Sequence, residues 1–142
     1  MGFTKGAFVD IGIETDIYAS GDALGEKNSF DGVPSNGKIM TVVVQDRASQ
    51  NVDFDIVMFD TDITGTTDNA AFDPTDAELQ TCIGSITVTG YKSFNDNSIA
   101  TVDDIGLAYE AGDRRIYFQC VTRGTPTYVA ATDVRVRLVI EF

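Results

Sequence analysis

Histidine and tryptophan are absent from this 142-residue chain, leucine occurs four times, proline three times, cysteine twice, and only ten residues are Lys or Arg. Without histidine the commonest general base and transition-metal ligand is missing, so neither a Ser-His-Asp nor a Cys-His nucleophile system can be assembled within one chain. The ten cations face 22 Asp or Glu, a net charge of −12. Binding duplex nucleic acid means neutralising phosphates with a basic surface, and an anionic membrane makes the same demand; neither partner is expected. No apolar run reaches the roughly 18 residues of a transmembrane helix. The opening Met1-Gly2-Phe3-Thr4-Lys5-Gly6 has no signal-peptide h-region, and Gly6 stands where N-myristoylation wants Ser or Thr. Cys82 and Cys120 could form one disulfide at most; without a secretion signal two reduced thiols are expected, in a chain made in a cytoplasm.

The composition favours strands. Val, Ile and Thr number 14, 12 and 16 against four Leu, and branching at Cβ suits a pleated surface better than a helix. Val52, Phe54, Ile56 and Met58 alternate with Asp53 and Asp55; Val134, Val136, Leu138, Ile140 and Phe142 alternate with Arg135, Arg137 and Glu141; Val9, Ile11 and Ile13 alternate with Asp10 and Glu14. This is the period of half-buried strands. Ile39 to Val44 is apolar on both faces and reads as a central strand. Further strands are expected at Ile83 to Thr89, Ile105 to Tyr109 and Ile116 to Thr122, with a weaker one near Ala23 to Phe30.

One segment reads as helix: Asp73 as N-cap, Pro74 at the first helical position, and a turn or two through Gln80. Asp31-Gly32, Asn36-Gly37, Thr64-Gly65, Asn95-Asp96-Asn97, Ala111-Gly112-Asp113 and Arg123-Gly124 mark turns. About eight short antiparallel strands with one short helix imply an all-β protein, a two-sheet sandwich of the jelly-roll type. The whole chain, 1–142, reads as one domain, with 1–17 as an N-terminal arm or edge strand.

The loop opening at Asp60 is the first candidate for chemistry. Asp60, Asp62 and Asp68 with Gly65 resemble the start of a calcium loop, but the twelfth position is Ala71 where a bidentate Glu belongs, and Thr64 replaces an expected Asp or Asn. The plainer reading has these residues capping turns, and no cofactor or metal is expected. A catalytic carboxylate pair needs one acid of raised pKa in a cleft; most of the 17 Asp and five Glu fall in turns or on solvent faces. Cys120, among Ile116, Phe118 and Val121, reads as inert core. Gly21-Asp22-Ala23-Leu24-Gly25 lacks phosphate-loop spacing. No catalytic residue is assigned, and the chain is not expected to be an enzyme.

Binding candidates remain. Arg135 and Arg137 share one strand face, where they either compensate local acids or form a basic patch that meets an acidic partner. In Thr122-Arg123-Gly124-Thr125-Pro126-Thr127-Tyr128, Gly124 and Pro126 stiffen the loop. That loop either presents Arg123 and Tyr128 to a partner or folds Tyr128 onto the end of the sandwich.

Taken in order, Tyr18-Ala19-Ser20-Gly21-Asp22-Ala23-Leu24-Gly25, Phe59-Asp60-Thr61-Asp62, Asp68-Asn69-Ala70-Ala71-Phe72 and Arg123 to Tyr128 resemble small virion proteins of tailed bacteriophages, specifically head decoration (cement) proteins. The resemblance runs from about Tyr18 to Phe142. It implies a β-sandwich or jelly roll that sits on the outer capsid surface as a homotrimer, binds the major capsid protein, and carries no catalytic residues. The alternative is a sandwich module of a phage tail or fibre that recognises carbohydrate or a receptor.

Overall fold

A computed structural model describes residues 2–142. Its strands are β1 (Phe3–Lys5), β2 (Val9–Asp10), β3 (Ala23–Asp31), β4 (Asn36–Asp46), β5 (Phe54–Phe59), β6 (Cys82–Val88), β7 (Lys92–Ser93), β8 (Ser98–Val102), β9 (Leu107–Glu110), β10 (Arg115–Thr122) and β11 (Val134–Glu141), with one helix, α1 (Asp76–Leu79). They form two antiparallel sheets. The seven-stranded sheet runs β1-β11-β4-β8-β7, with β2 also on β11 and β9 also on β4; the four-stranded sheet runs β3-β10-β5-β6.

The short strands share lanes. Bonds from Gly6 N to the Leu138 carbonyl and from Ile11 N to the Val134 carbonyl join β1 and β2 into one edge lane along β11. Residues 1–17 thus supply an edge strand rather than a free arm, Met1 lying outside the described residues. β8 and β9 likewise lie end to end along β4, linked where Ile105 N donates to Met40 O. Counted by lanes, the order matches the two interleaved Greek keys of a jelly roll.

The core lies between the sheets. Leu24, Ile39, Val42, Val44, Phe54, Ile56, Met58, Phe118, Val136 and Leu138 are buried there, and Phe30 stacks on Phe118 with centroids 4.3 Å apart. Each such side chain contributes about 1.5–3 kcal/mol of burial.

The departures from the sequence reading have local causes. Thr75, not Asp73, caps α1: its Oγ1 accepts from Glu78 N at 3.1 Å while Glu78 Oε1 accepts from Thr75 N at 3.0 Å, a reciprocal box that places Pro74 before the helix. β8 has no apolar alternation in the sequence because its inward residues are Ser98 and Ala100, too small and polar to carry it; Ser98 Oγ donates to Asn51 Oδ1 at 2.6 Å instead. The expected Val9-Ile11-Ile13 strand ends at Asp10, since the chain turns at Gly12 (φ +71°), yet Ile11 and Ile13 still reach the core.

One irregularity shapes the surface. Between β3 and β10 the register jumps from Phe118↔Asn28 to Cys120↔Leu24, so Gly25-Glu26-Lys27 bulges opposite Gln119. Gly25 sits at φ +85° against the Ile11 carbonyl. Gln119, fully buried, donates through Nε2 to Gly25 O at 3.0 Å and Thr66 O at 2.6 Å, and accepts from Thr66 N at 2.9 Å. The 60–75 loop is thereby fastened over the outer side of the smaller sheet.

Gly25→Ala forces a methyl group into the Ile11 carbonyl from a left-handed backbone, and is expected to cost about 3 kcal/mol or more, roughly 10 °C in melting temperature. Gly12→Ala, at φ +71° with open space around it, is expected to cost about 1 kcal/mol. Thermal unfolding of the two variants checks the contrast.

Candidate functional site

The turn at residues 18–25, the segment 68–72 and the loop 123–128 converge at one end of the sandwich. Tyr18 N donates to Pro126 O at 3.1 Å, Gly21 N to Thr122 O at 2.8 Å and Phe72 N to Gly21 O at 3.0 Å. Ala23 N donates to Ala70 O at 2.8 Å and Asn69 N to Ala23 O at 3.0 Å, flanking a bridge between Asp22 and Ala71. Phe59 to Asp62 does not join them. It starts the 60–75 loop at the opposite end, where Asp60 N donates to Thr81 O.

Tyr18 is the hub. Its buried ring meets Tyr128 edge-on at 6.2 Å and 74°. Its Oη accepts from Glu14 N and donates to Asp68 Oδ1, both at 2.8 Å, and the same Asp68 oxygen accepts from Gly25 N at 2.8 Å. Burial pushes the Tyr18 phenol far up and holds it as a donor. Burial also raises the Asp68 carboxyl above its ordinary value, outweighing the stabilising bonds from Tyr18 and Gly25, and the charges of Glu14 and Glu26 push in the same direction.

This geometry decides between the two readings of the 123–128 loop. Tyr128 is 3% exposed and Pro126 is buried, so neither forms an interface surface; both close the end of the core. Arg123 is exposed, but its Nε is engaged by Asp55 Oδ2 at 2.8 Å. The apolar groups that do reach solvent here are Ile17, 65% exposed, and Val129, 82% exposed. Nothing in their sequence setting separates them from core residues, because each adjoins a tyrosine that is buried.

The three calcium candidates have separate partners. Asp60 Oδ1 accepts from Thr61 Oγ1, Asp62 Oδ1 pairs with Lys27 Nζ at 2.9 Å, and Asp68 is held by Tyr18 and Gly25. The Lys27 bond lowers the Asp62 carboxyl. No group of three or more potential metal ligands gathers among the described residues. Cys82 and Cys120 are both free thiols; Cys120 is fully buried, which drives its thiol strongly up and keeps it from acting as a nucleophile. Arg135 and Arg137 lie on the outer side of the larger sheet, on β11, which begins six residues after Tyr128. Arg135 Nε meets Asp10 Oδ1 at 2.6 Å, and the Arg137 guanidinium sits 4.5 Å above the Phe8 ring.

A cleft of about 760 Å³ opens at the opposite end between Lys38, Asp60, Cys82, Tyr109 and Glu141. Asp68, the carboxylate raised by burial, does not line it. No family model, curated protein or solved structure matches the chain.

Because its folded pKa is raised, Asp68 binds a proton more readily in the folded state than in the unfolded one, so its charge weakens the fold above the ordinary carboxylate range and that penalty fades as pH falls through it. Asp68→Asn keeps an acceptor for Tyr18 and Gly25 and removes the charge. It is expected to be at least as stable as wild type at neutral pH, with the gap closing toward about pH 3, below the ordinary Asp value. Asp68→Ala orphans both donors and is expected to cost about 1–3 kcal/mol. Denaturant titrations across pH check both. EDTA is expected to leave the melting temperature unchanged; a fall reversed by Ca²⁺ would reinstate the calcium loop.

Proposed function

We propose that this chain is a non-enzymatic virion protein of a tailed bacteriophage, made in the host cytoplasm and bound to the outer capsid surface as a homotrimer, where it stabilises contacts between major capsid protein subunits. The observation that carries the reading is the convergence just described: three of the four segments that resemble decoration proteins, separated by up to about a hundred residues in the chain, are hydrogen-bonded into a single end of a jelly roll. These three segments therefore form one structural unit rather than scattered turns.

The physical demands of the role suit the molecule. A cement protein needs a stiff body and buried contact, and a stable interface of standard size covers roughly 1,600 Å² in total. Three joined copies reinforce one another through effective concentration. Binding the assembled lattice in preference to free capsomers shifts assembly by mass action. A charge of −12 keeps the protein off packaged DNA. Tyr18 and Tyr128, the tyrosines of the converging segments, are consumed by the core and offer no face on which a glycan could stack.

Purified protein mixed with expanded heads that lack it is expected to saturate them at a fixed copy number and to raise their melting temperature. Failure to bind, together with retention on a bacterial polysaccharide, would replace this reading with the glycan-binding one.

A further inference from the structure

The two outer sides of the sandwich differ in cover and in charge. On the smaller sheet the outward positions Gln119 and Val121 are buried, beneath the fastened 60–75 loop in the case of Gln119. On the larger sheet the register aligns Arg135 with Asp10, Gln45 and, through Gln45, Ile99 and Lys92; Arg137 with Val43 and Thr101; Val139 with Lys5 and Thr41; and Glu141 with Phe3 and Lys38. Every one of these positions is half-buried or exposed except Val43, which at 9% forms the apolar centre beside Arg137.

Five of the ten cations occupy this side: Lys5, Lys38, Lys92, Arg135 and Arg137. Of the 22 acids, the register and contacts bring only four there: Asp10, Glu110, Glu141 and Asp103, the last bonded by Thr41 Oγ1. The cations also differ in what they touch. Of the other five, Lys27, Arg115 and Arg123 are spent on Asp62, Asp31 and Asp55, Arg114 Nε donates to the Val33 carbonyl, and Arg47 has no carboxylate partner among the described residues. On this side only Arg135 has a carboxylate partner among the described residues, while Lys5, Lys38, Lys92 and Arg137 have none. Arg137 lies over Phe8, with a buried Nε that no protein group satisfies.

We infer that the outer side of the seven-stranded sheet is the docking surface, and that its occupant is an acidic, nearly flat patch of the assembled capsid lattice. The inference rests on the proposed decoration role and names the contact that role leaves open. Charge complementarity selects the occupant: the side is slightly positive on a molecule whose remaining surface holds nearly all the negative charge, so it attracts an acidic protein while the rest is repelled. An aromatic and an arginine beside an apolar centre, rimmed by lysines, is the composition of a protein interface. Five lanes at about 4.8 Å and eight residues of β11 at about 3.4 Å give a plane of roughly 600 Å². That is below the roughly 800 Å² per partner of a standard contact, so one copy binds weakly and joined copies are required for retention.

The four lysines provide a direct test, because Lys5, Lys38 and Lys92 lie on the proposed surface and Lys27 on the opposite side. When heads lacking the protein are loaded with it and treated with an amine-acylating reagent, Lys5, Lys38 and Lys92 are expected to be protected severalfold and Lys27 to react as in the free protein. K5E/K38E/K92E, all at exposed positions, is expected to bind heads at least tenfold more weakly. K27E/R115E/R123E, with the same change in net charge on the other side, is expected to stay within about threefold of wild type. Melting temperatures of both variants establish that they fold. Protection of Lys27 in place of the other three, or full binding by the first variant, overturns the inference and leaves the decoration role standing. No binding by wild type overturns both. A changed oligomeric state of K5E/K38E/K92E in light scattering, with head binding intact, would assign the surface to contact between copies and overturn the inference. Equal lysine protection by duplex DNA alone would do so as well.

Discussion

The carboxamide of Gln119 governs more of this molecule than any single apolar contact. It is buried without exposure and all of its bonds go to backbone atoms, one on the β3 bulge and two on Thr66. In a low-dielectric setting such a satisfied amide is rigid, because any displacement leaves buried donors and acceptors unpaired. Three consequences follow. The bulge at Gly25–Lys27 is locked, the long loop after β5 is laid across the smaller sheet, and Asp68 and Asn69 are delivered to the turn at Tyr18 to Ala23. The convergence of loops at one end of the sandwich depends on this anchor.

The same anchor explains the asymmetry of the two outer sides. Covering one sheet with a loop rich in Asp and Thr concentrates negative charge there and uses Lys27 to hold it. On the other sheet the outward positions apart from Val43 are half-buried or exposed, with cations in excess of acids along the register. The loop held by the irregular β3–β10 lane thus makes the two outer sides chemically distinct.

Much of the fold was legible in the sequence where burial follows a period of two. β5 and β11 alternate so strictly that their inward residues could be named, except that Phe142, expected on the same face, lies past the end of β11 and is exposed, and the apolar run in β4 marked a central strand. Legibility failed where the inward residue is small or where a backbone feature outranks the pattern. Ser98 and Ala100 hid β8, Gly12 cut short the N-terminal alternation, and Thr75 displaced Asp73 as cap because only Thr75 has Glu78 three residues on. The site was harder to read. The rigid 123–128 loop was recognisable from Gly124 and Pro126, but whether Tyr128 faced out or in depended on Tyr18, 110 residues away, and no local pattern encodes that. Arg135 and Arg137 were visible as a pair; that Lys5, Lys38 and Lys92 join them is a product of register alone.

The edge lanes of the larger sheet have a further effect. One edge is broken into β1 and β2, three and two residues long and separated at Gly6, and the other ends in the two-residue β7. Long unpaired strand edges template growth into fibres, and short interrupted ones deny that template. Along this sheet, therefore, no long unpaired edge is left on which a strand from another chain could grow.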